Sequence, residues 1–285
     1  MRKAAFSLVL ATIGRTKELD RLFNSLAAQT FHNFEVIVVD QNPDDRLAPH
    51  LERASSLGLV IRHIRQSTPN LAAARNTGIA AATGEWIGFP DDDCWYDATV
   101  LERLYIRFTT AEAPTGVIVH WAEQGPPPIA APRLSWEKSS KFRDVPVASI
   151  TLFFKRKIFD KIGGFDSRLG VGQWFGAAEE TDLVLRALHT GALVAYEPSA
   201  QVHHPVAANM SSLTPQARLV ARNRARGTGA LYAKHRLPAW VIARGLVAPV
   251  LRPILKGSIG AELAHGYAVT RGRLDGLLGW NRHQH

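Results

Sequence analysis

The chain has 285 residues, 46% of them hydrophobic, which is enough for a large buried core. One cysteine, Cys94, excludes an internal disulfide and a zinc site built from cysteines. The formal net charge of +9 is concentrated in residues 215–285, where twelve Lys or Arg stand against two acidic residues. Such a region predicts nucleic acid, anionic lipid or an acidic protein as partner.

The N-terminus has a basic start and an apolar run, as a signal peptide does. The run stops at Gly14 without a small-x-small cleavage site, and Phe6–Leu10 fits a buried strand better. No stretch reaches the roughly 18 uncharged apolar residues of a membrane-spanning helix. We therefore expect a cytoplasmic chain that does not cross the membrane.

Strand and helix patterns alternate through the first half of the chain. Strands are predicted at Phe6–Thr12, Phe34–Val39, Val60–Ile64 and Glu85–Phe89, and helices at Lys17–Gln29, Arg46–Leu57 and Leu71–Ala82. This order predicts an α/β fold in which helices flank a mainly parallel sheet. Farther on, a helix is expected at Asp97–Thr110 and strands at Gly116–Trp121 and Ala192–Tyr196. The proline-rich stretch 125–132 is expected to form a surface loop.

Polar residues follow each of the four predicted strands. Thr12 and Arg15 follow the first, Asp40 the second, Asn70 the third, and the triplet Asp91–Asp93 the fourth. Ligands of open α/β sheets bind beyond the carboxyl ends of the strands, so we expect these side chains to line one site. None of the first three strand ends carries a G-x-G-x-x-G or Walker pattern, which argues against a dinucleotide or P-loop site.

The acidic triplet is the most informative stretch. In an extended or turn conformation Asp91 and Asp93 point to one side and Asp92 to the other, so the first and third carboxylates could share a divalent ion. The alternative is a polar loop in which Asp93 or Asp97 caps the next helix.

The ordered series Asp40, Ala74-Arg75-Asn76-Thr77-Gly78-Ile79, Gly84-Glu85 and Asp91-Asp92-Asp93 resembles the family-two glycosyltransferases with the GT-A fold, of the kind seen in bacterial cell-surface polysaccharide synthesis. The resemblance implies that Asp91 and Asp93 form the DXD motif, which binds the Mn²⁺ or Mg²⁺ that holds the diphosphate of a nucleotide-sugar. It also implies that Asp40 contacts the base. Pro90 departs from the larger aliphatic residue that is usual in the family.

A second series, Gly163-Gly164-Phe165-Asp166 followed by Glu179-Glu180, resembles the segment of that family whose acidic pair supplies the catalytic base. The matching position is Glu180, and Glu179 remains the competing candidate. By itself the pair is also an ordinary acidic first turn of a helix. Trp174 and Phe175 precede it, and these aromatic rings could pack against the acceptor sugar or lie in the core.

The histidine pair His203-His204 precedes Pro205. Some relatives place a metal-ligating histidine in a similar segment after the catalytic helix, and His204 matches it, with His203 as the alternative. Without the resemblance, a pair of histidines in a loop is usually an incidental surface feature.

The basic region 215–285 predicts a helical extension. Arg218, Arg222 and Arg226 share one helix face, and arginines interrupt apolar runs near Trp240. This mixture favours a helix on a membrane surface over a nucleic-acid site, with a helical subdomain or a homodimer interface as alternatives.

Together these features predict a catalytic domain at residues 1–214 and a basic helical tail at 215–285. The expected function is metal-dependent, inverting transfer of a sugar from a nucleotide-sugar, of UDP type, to a hydroxyl of a saccharide or lipid-linked saccharide, on the inner face of the cytoplasmic membrane. The alternatives are a non-catalytic binding or scaffold protein and a nucleotide-sugar hydrolase.

Overall fold

The computed structural model describes residues 3–126, 133–141, 147–205, 214–258 and 260–282. Most of the proline-rich stretch, at 127–132, lies outside them. The chain divides into two compact units. We call Met1–Phe165 with Leu183–Val206 the sheet unit, and Asp166–Asp182 with Ala207–His285 the helical unit. The helical unit thus combines the predicted tail with the segment Asp166–Asp182, which contains Glu179 and Glu180.

Within the described residues the sheet has nine strands. They are β1 Phe6–Thr12, β2 Phe34–Asp40, β3 Ile61–Arg65, β4 Trp86–Gly88, β5 Trp95–Tyr96, β6 Gly116–Trp121, β7 Arg133–Leu134, β8 Leu152–Lys155 and β9 Val194–His203. The order is β3-β2-β1-β4-β8-β6-β9-β5, with β7 also beside β9. Strands β3, β2, β1 and β4 are parallel, as predicted, whereas β8 runs antiparallel to both its neighbours.

Ten α-helices lie in the described parts of the chain. They are α1 Lys17–Ala27, α2 Ala48–Ser56, α3 Leu71–Ala81, α4 Val100–Thr109, α5 Trp136–Ser139, α6 Ile158–Ile162, α7 Glu179–His189, α8 Pro215–Lys234, α9 Ala239–Leu255 and α10 Ala261–Gly279. Helix α2 begins two residues later than predicted, and Pro49 lies in its first turn, where a missing N–H costs nothing.

The core of the sheet unit has two layers because β1 and β2 are buried on both faces. Alternate residues of β1 enter different clusters, with Leu8 and Leu10 on one face and Val9 on the other. Each such side chain contributes about 2 kcal/mol by leaving water. The continuous apolar runs of these strands follow from this double burial, and their predicted positions are confirmed apart from one added residue at the end of β2.

In the helical unit, α8 and α10 pack with their backbones close together. A Cβ on Gly272 or Gly276 would collide with the carbonyl oxygens of Arg222 and Arg226, so only glycine permits this approach. Arg222 also donates to Asp275 across the same contact, at 2.6 and 3.0 Å. One arginine of the stripe predicted on α8, Arg222, therefore forms a contact within the helical unit. Among the described helices, none combines the length and apolar character required to cross a membrane.

Candidate active site

In the sheet unit, residues predicted to bind the nucleotide-sugar meet at the carboxyl ends of the parallel strands. Thr12 and Asp40 are paired in the register of β1 and β2, and the chain beyond β4 turns so that Thr12 Oγ1 donates to Asp92 Oδ2 at 2.7 Å. The expected gathering of these strand ends is therefore observed for Thr12, Asp40 and the acidic triplet.

Asp92 is the buried member of the triplet. Its carboxylate accepts from Thr12 and forms an ion pair with Arg15 at 2.5 Å. Burial nevertheless raises the pKa of Asp92, because desolvation outweighs these two favourable contacts. Asp92 thus fastens the acidic loop to β1 and is poorly placed to meet a ligand.

Asp91 contacts residues of two other elements. Arg75, a buried residue of α3, donates to Asp91 Oδ1 at 2.9 Å and lies 5.3 Å from the ring of Phe165. Ser149 Oγ lies 3.3 Å from both carboxylate oxygens of Asp91. Sequence reasoning missed Ser149, which precedes β8 and has no neighbouring motif.

Asp93 faces His204. The Asp93 Oδ1 atom lies 3.0 Å from His204 Nε2, and His204 Nδ1 is 2.8 Å from the carbonyl oxygen of Pro205. The hydrogen bond to Asp93 raises the pKa of His204. Burial acts to raise the pKa of Asp93, but His204 and Arg15 overcome it and lower that pKa. Asp93 and His204 therefore favour each other's charged form, and both side chains point to the same place.

His203 points elsewhere. Its Nδ1 lies 2.9 Å from Glu123 and its Nε2 3.0 Å from Asp97, and its ring stacks on Trp95 at 5.1 Å. Burial opposes the charge, yet the two carboxylates raise the pKa of His203. Because its ring nitrogens face Glu123 and Asp97 and not Asp93, His203 is not placed to share an ion with Asp93 in this arrangement.

The donor set at Asp93 and His204 suits Mn²⁺ or Mg²⁺ only in part. The Asp93 oxygen and the His204 nitrogen are 3.0 Å apart and share a hydrogen bond, so both would hold one ion if His204 gave up the shared proton. Carboxylate oxygen suits Mn²⁺ and Mg²⁺, whereas imidazole is more typical of zinc, copper, iron and nickel sites. However, the described residues contain no group of three or more His, Cys, Asp or Glu that could hold a metal. The fit therefore requires further ligands, such as the phosphates of a substrate.

Asp40 is fully buried at the end of β2. Its Oδ1 accepts from the backbone and side-chain nitrogens of Asn42, both at 2.8 Å, and its Oδ2 lies 3.0 Å from His63 Nε2. Asn70 caps α3 by accepting from the backbone of Ala73 at 2.8 Å. His63 could have been anticipated, because it lies on the strand next to β2.

Glu179 and Glu180 are the first two residues of α7. The first four residues of this helix belong to the helical unit. Glu179 is 3% exposed, and its carboxyl atoms lie so close to Gly170 that a Cβ there would be 3.1 to 3.3 Å away. Glu180 is partly exposed. The adjacent residues therefore have different surroundings, and Glu180 is the more accessible carboxylate.

The two aromatic residues before α7 also differ. Phe175 is 1% exposed and packs against Trp280 at 5.3 Å between ring centroids. Trp174 is 39% exposed, with the guanidinium of Arg226 4.7 Å from its ring centroid. Trp174 is thus the ring that a ligand could reach, whereas Phe175 belongs to the interior of the helical unit.

An ionic cluster holds the ends of the 166–182 segment to α8. Lys234 Nζ lies 2.7 Å from Asp166 and 2.8 Å from the buried Asp182, and His235 Nε2 lies 3.0 Å from Asp182. Burial opposes ionisation of Asp166, but Arg168 and Lys234 hold its pKa well below the usual range. Sequence reasoning missed Lys234 and His235, which stand in a different part of the chain from their partners.

Comparison with known proteins places the chain in a family. A model described as Glycosyl transferase family 2 matches residues 7–163, which is more than half of the chain. The chain belongs to this family. The match includes Asp40 and the acidic triplet but ends before Glu179, so the family-2 model itself does not reach the acidic pair.

Two bacterial proteins illustrate the sequence similarity. An uncharacterized glycosyltransferase of Haemophilus influenzae is 27% identical over 203 residues, covering 67% of this chain and 64% of that protein. The amylovoran biosynthesis glycosyltransferase AmsB of Erwinia amylovora is 32% identical over 108 residues, covering 36% of each chain. The chain thus matches less than two thirds of the length of either relative.

A solved structure carries the same fold. The mannosyltransferase PcManGT of Pyrobaculum calidifontis, in complex with GDP-Man and Mn²⁺, superposes with a TM-score of 0.66 at 15% identity, covering 98% of this chain and 88% of that one. The predicted α/β fold with flanking helices and a helical C-terminal region is confirmed, and it is the GT-A fold.

Proposed function

We propose that this family-2 protein is a metal-dependent, inverting glycosyltransferase that moves a sugar from a nucleotide-sugar, of UDP type, to a hydroxyl of a saccharide or lipid-linked saccharide. The observation that carries the proposal is the convergence of Asp93 and His204 at the carboxyl edge of the parallel strands. Ligands of such sheets bind at this edge, and an oxygen–nitrogen pair there suits an ion held jointly with a diphosphate.

Asp93 and His204 would hold the Mn²⁺ or Mg²⁺ ion. When bound, the ion would neutralise charge on the nucleoside diphosphate leaving group. In this proposal Asp92, Thr12 and Arg15 keep the acidic loop in place, and Arg75 orients Asp91. Asp91 stays in the proposed metal set, oriented by Arg75, and His203, the alternative histidine, is held by Asp97 and Glu123.

Asp40 and Asn70 are assigned to the nucleotide side of the site. Asp40 is buried against Asn42 and His63, so it would contact the base together with these two hydrogen-bond partners. Asn70 fixes the start of α3 and thereby the position of Arg75.

Glu180 is assigned as the general base. A base must reach the acceptor hydroxyl, and partial exposure supports Glu180, whereas Glu179 is enclosed beside Gly170. Glu180 would take the hydroxyl proton as the acceptor oxygen attacks the anomeric carbon and the nucleoside diphosphate departs. Direct displacement of this kind inverts the anomeric configuration. Trp174 would offer its exposed face to the acceptor sugar.

The basic helices support placement at the inner face of the cytoplasmic membrane, where a lipid-linked acceptor would be within reach. Residues 215–261 contain no acidic residue, and α9 is largely apolar. A role of this kind in polysaccharide assembly would agree with the similarity to AmsB.

The proposal is tested by incubating the full chain with UDP- and GDP-sugars, Mn²⁺ or Mg²⁺, and saccharide or lipid-linked acceptors. We expect sugar transfer that requires both metal and acceptor. Release of free sugar at the same rate without acceptor would identify a hydrolase. Failure of every nucleotide-sugar to bind with metal present would favour the non-catalytic scaffold.

A further inference from the structure

Helix α9 has two faces of different character. Its inner face packs within the helical unit: Val241 is buried, Gly245 meets the hydroxyl of Tyr232, and the carbonyl of Pro249 lies against Gly266 of α10. Thr270 also donates to the carbonyl of Leu246 at 2.7 Å. These contacts fix the rotation of α9 about its own axis and determine which side chains face outward.

The outer face of α9 is an apolar stripe that Arg244 interrupts. Trp240, Val247, Leu251, Ile254 and Leu255 recur at helical spacing and are 47%, 54%, 43%, 52% and 76% exposed. Positions separated by three, four or seven residues lie on the same side of a helix, so these side chains form one surface. A single exposed leucine is ordinary, but a stripe along a whole helix indicates a binding surface.

The charges around the stripe have one sign. Arg244 lies within the stripe, with its guanidinium 5.3 Å from the ring centroid of Trp240, and Arg252 and Lys256 are exposed at the C-terminal end of the helix, on the side that continues from Pro249. No acidic residue occurs anywhere in 215–261. An apolar stripe with cations at its side matches a bilayer surface, where acyl chains meet anionic headgroups.

From this geometry we propose that the outer face of α9 is a docking surface for an anionic lipid bilayer, with the apolar stripe in the headgroup–acyl boundary and Arg244 at the lipid phosphates, while Arg252 and Lys256 add positive charge at the end of the helix. A helix of 17 residues is about 25 Å long, and it lies along the surface because its inner face is already occupied by α8 and α10. The proposal rests on the proposed membrane placement and is independent of the transfer chemistry.

The test is flotation of the full chain with vesicles of phosphatidylcholine containing about one-third phosphatidylglycerol. We expect wild type to float with these vesicles and the double variant Val247→Ser, Leu251→Ser to bind roughly tenfold or more weakly, because each change removes apolar surface from the lipid. The control Leu278→Ser changes a leucine on α10 that is 61% exposed, more than Val247 or Leu251, and should float as wild type does.

A second measurement protects the test against misfolding. Cys94 is buried, so Leu251→Cys provides an accessible thiol for a polarity-sensitive dye, and Leu278→Cys provides the matched control. Anionic vesicles should shift the emission of the first label to the blue and leave the second unchanged. Equal shifts at both positions, or none at Leu251→Cys, would overturn the proposal.

A different occupant would give a different pattern. If a second copy of the chain covers the stripe, light scattering will give a dimer mass that falls to that of a monomer in the double variant, without flotation of the wild type, and the lipid proposal fails. Transfer to a soluble acceptor separates this failure from failure of the proposed function, because the double variant should retain it.

Discussion

The sheet unit and the helical unit present their acidic groups in different ways. In the sheet unit, Asp91 pairs with Arg75, Asp92 with Arg15, and Asp93 with both His204 and Arg15. In the helical unit, Lys234 joins Asp166 and Asp182, while Glu180 stays partly exposed. Adjacent carboxylates can therefore have distinct tasks: some hold the backbone in place, and others remain accessible for a ligand.

The largest expected effect is on Glu180, the accessible member of the acidic pair. Glu180→Gln keeps the size of the side chain but removes the base, so kcat for transfer should fall about 10³-fold with little change in donor affinity. Glu179→Gln is the contrast: it alters a buried carboxyl and should lower the melting temperature more than Glu180→Gln does. Transfer by Glu180→Gln at the wild-type rate would refute its assignment.

Asp93 should come next. Asp93→Asn weakens the proposed metal site and leaves His204 without its carboxylate, so metal-dependent transfer should require about 100-fold more Mn²⁺. A Mn²⁺ titration of the initial rate measures this change. Asp45→Asn, at an exposed carboxylate paired with Arg65, is the control and should titrate as wild type does. Identical titrations for all three proteins would remove Asp93 from the metal set.

Lys234 tests whether the ionic cluster supports the helical unit. Lys234→Met removes the ammonium group that pairs with the buried Asp182. It should reduce the free energy of unfolding, measured in urea titrations, by about 3 kcal/mol. Lys234→Arg should recover part of this loss, and Lys256→Met, at an exposed lysine after α9, should cost almost nothing. Equal stability of the two methionine variants would contradict the role of the cluster.

The smallest expected effect is the pH dependence of Asp166. Its folded-state pKa is depressed, so its contribution to stability is present above its unfolded-state pKa of about 3.9 and is lost as the pH falls below it. Asp166→Asn should therefore be less stable than wild type near neutral pH, and the difference should shrink in acid. Urea titrations across that range measure it, and a difference that does not change with pH would argue against the ion pairs.

Local patterns were sufficient to predict much of the sheet unit. Buried strands are recognisable in the sequence as continuous apolar runs, and β1 and β6 begin and end where predicted. The gathering of Thr12, Asp40 and the acidic triplet followed from the parallel order of the strands. Strand β9 was predicted too short, because its pairing with β6 continues past an irregularity between Val119 and His120 that no local pattern reveals.

Contacts between distant parts of the chain could not be predicted in this way. Lys234 at the end of a helix suggests only a favourable interaction with the helix dipole, and nothing in its neighbourhood indicates Asp166 or Asp182. The different directions of His203 and His204 could have been predicted, because successive residues near the end of a strand point to opposite sides. Only one of the pair could therefore face Asp93.

The anomeric configuration of the product tests the central claim most directly. With a donor and acceptor from the transfer screen, proton NMR of the first product formed gives the configuration of the new bond. Direct displacement assisted by Glu180 predicts inversion relative to the nucleotide-sugar, together with loss of product in Glu180→Gln. Retention of configuration would contradict the account, because it requires a step that the proposed single displacement does not contain.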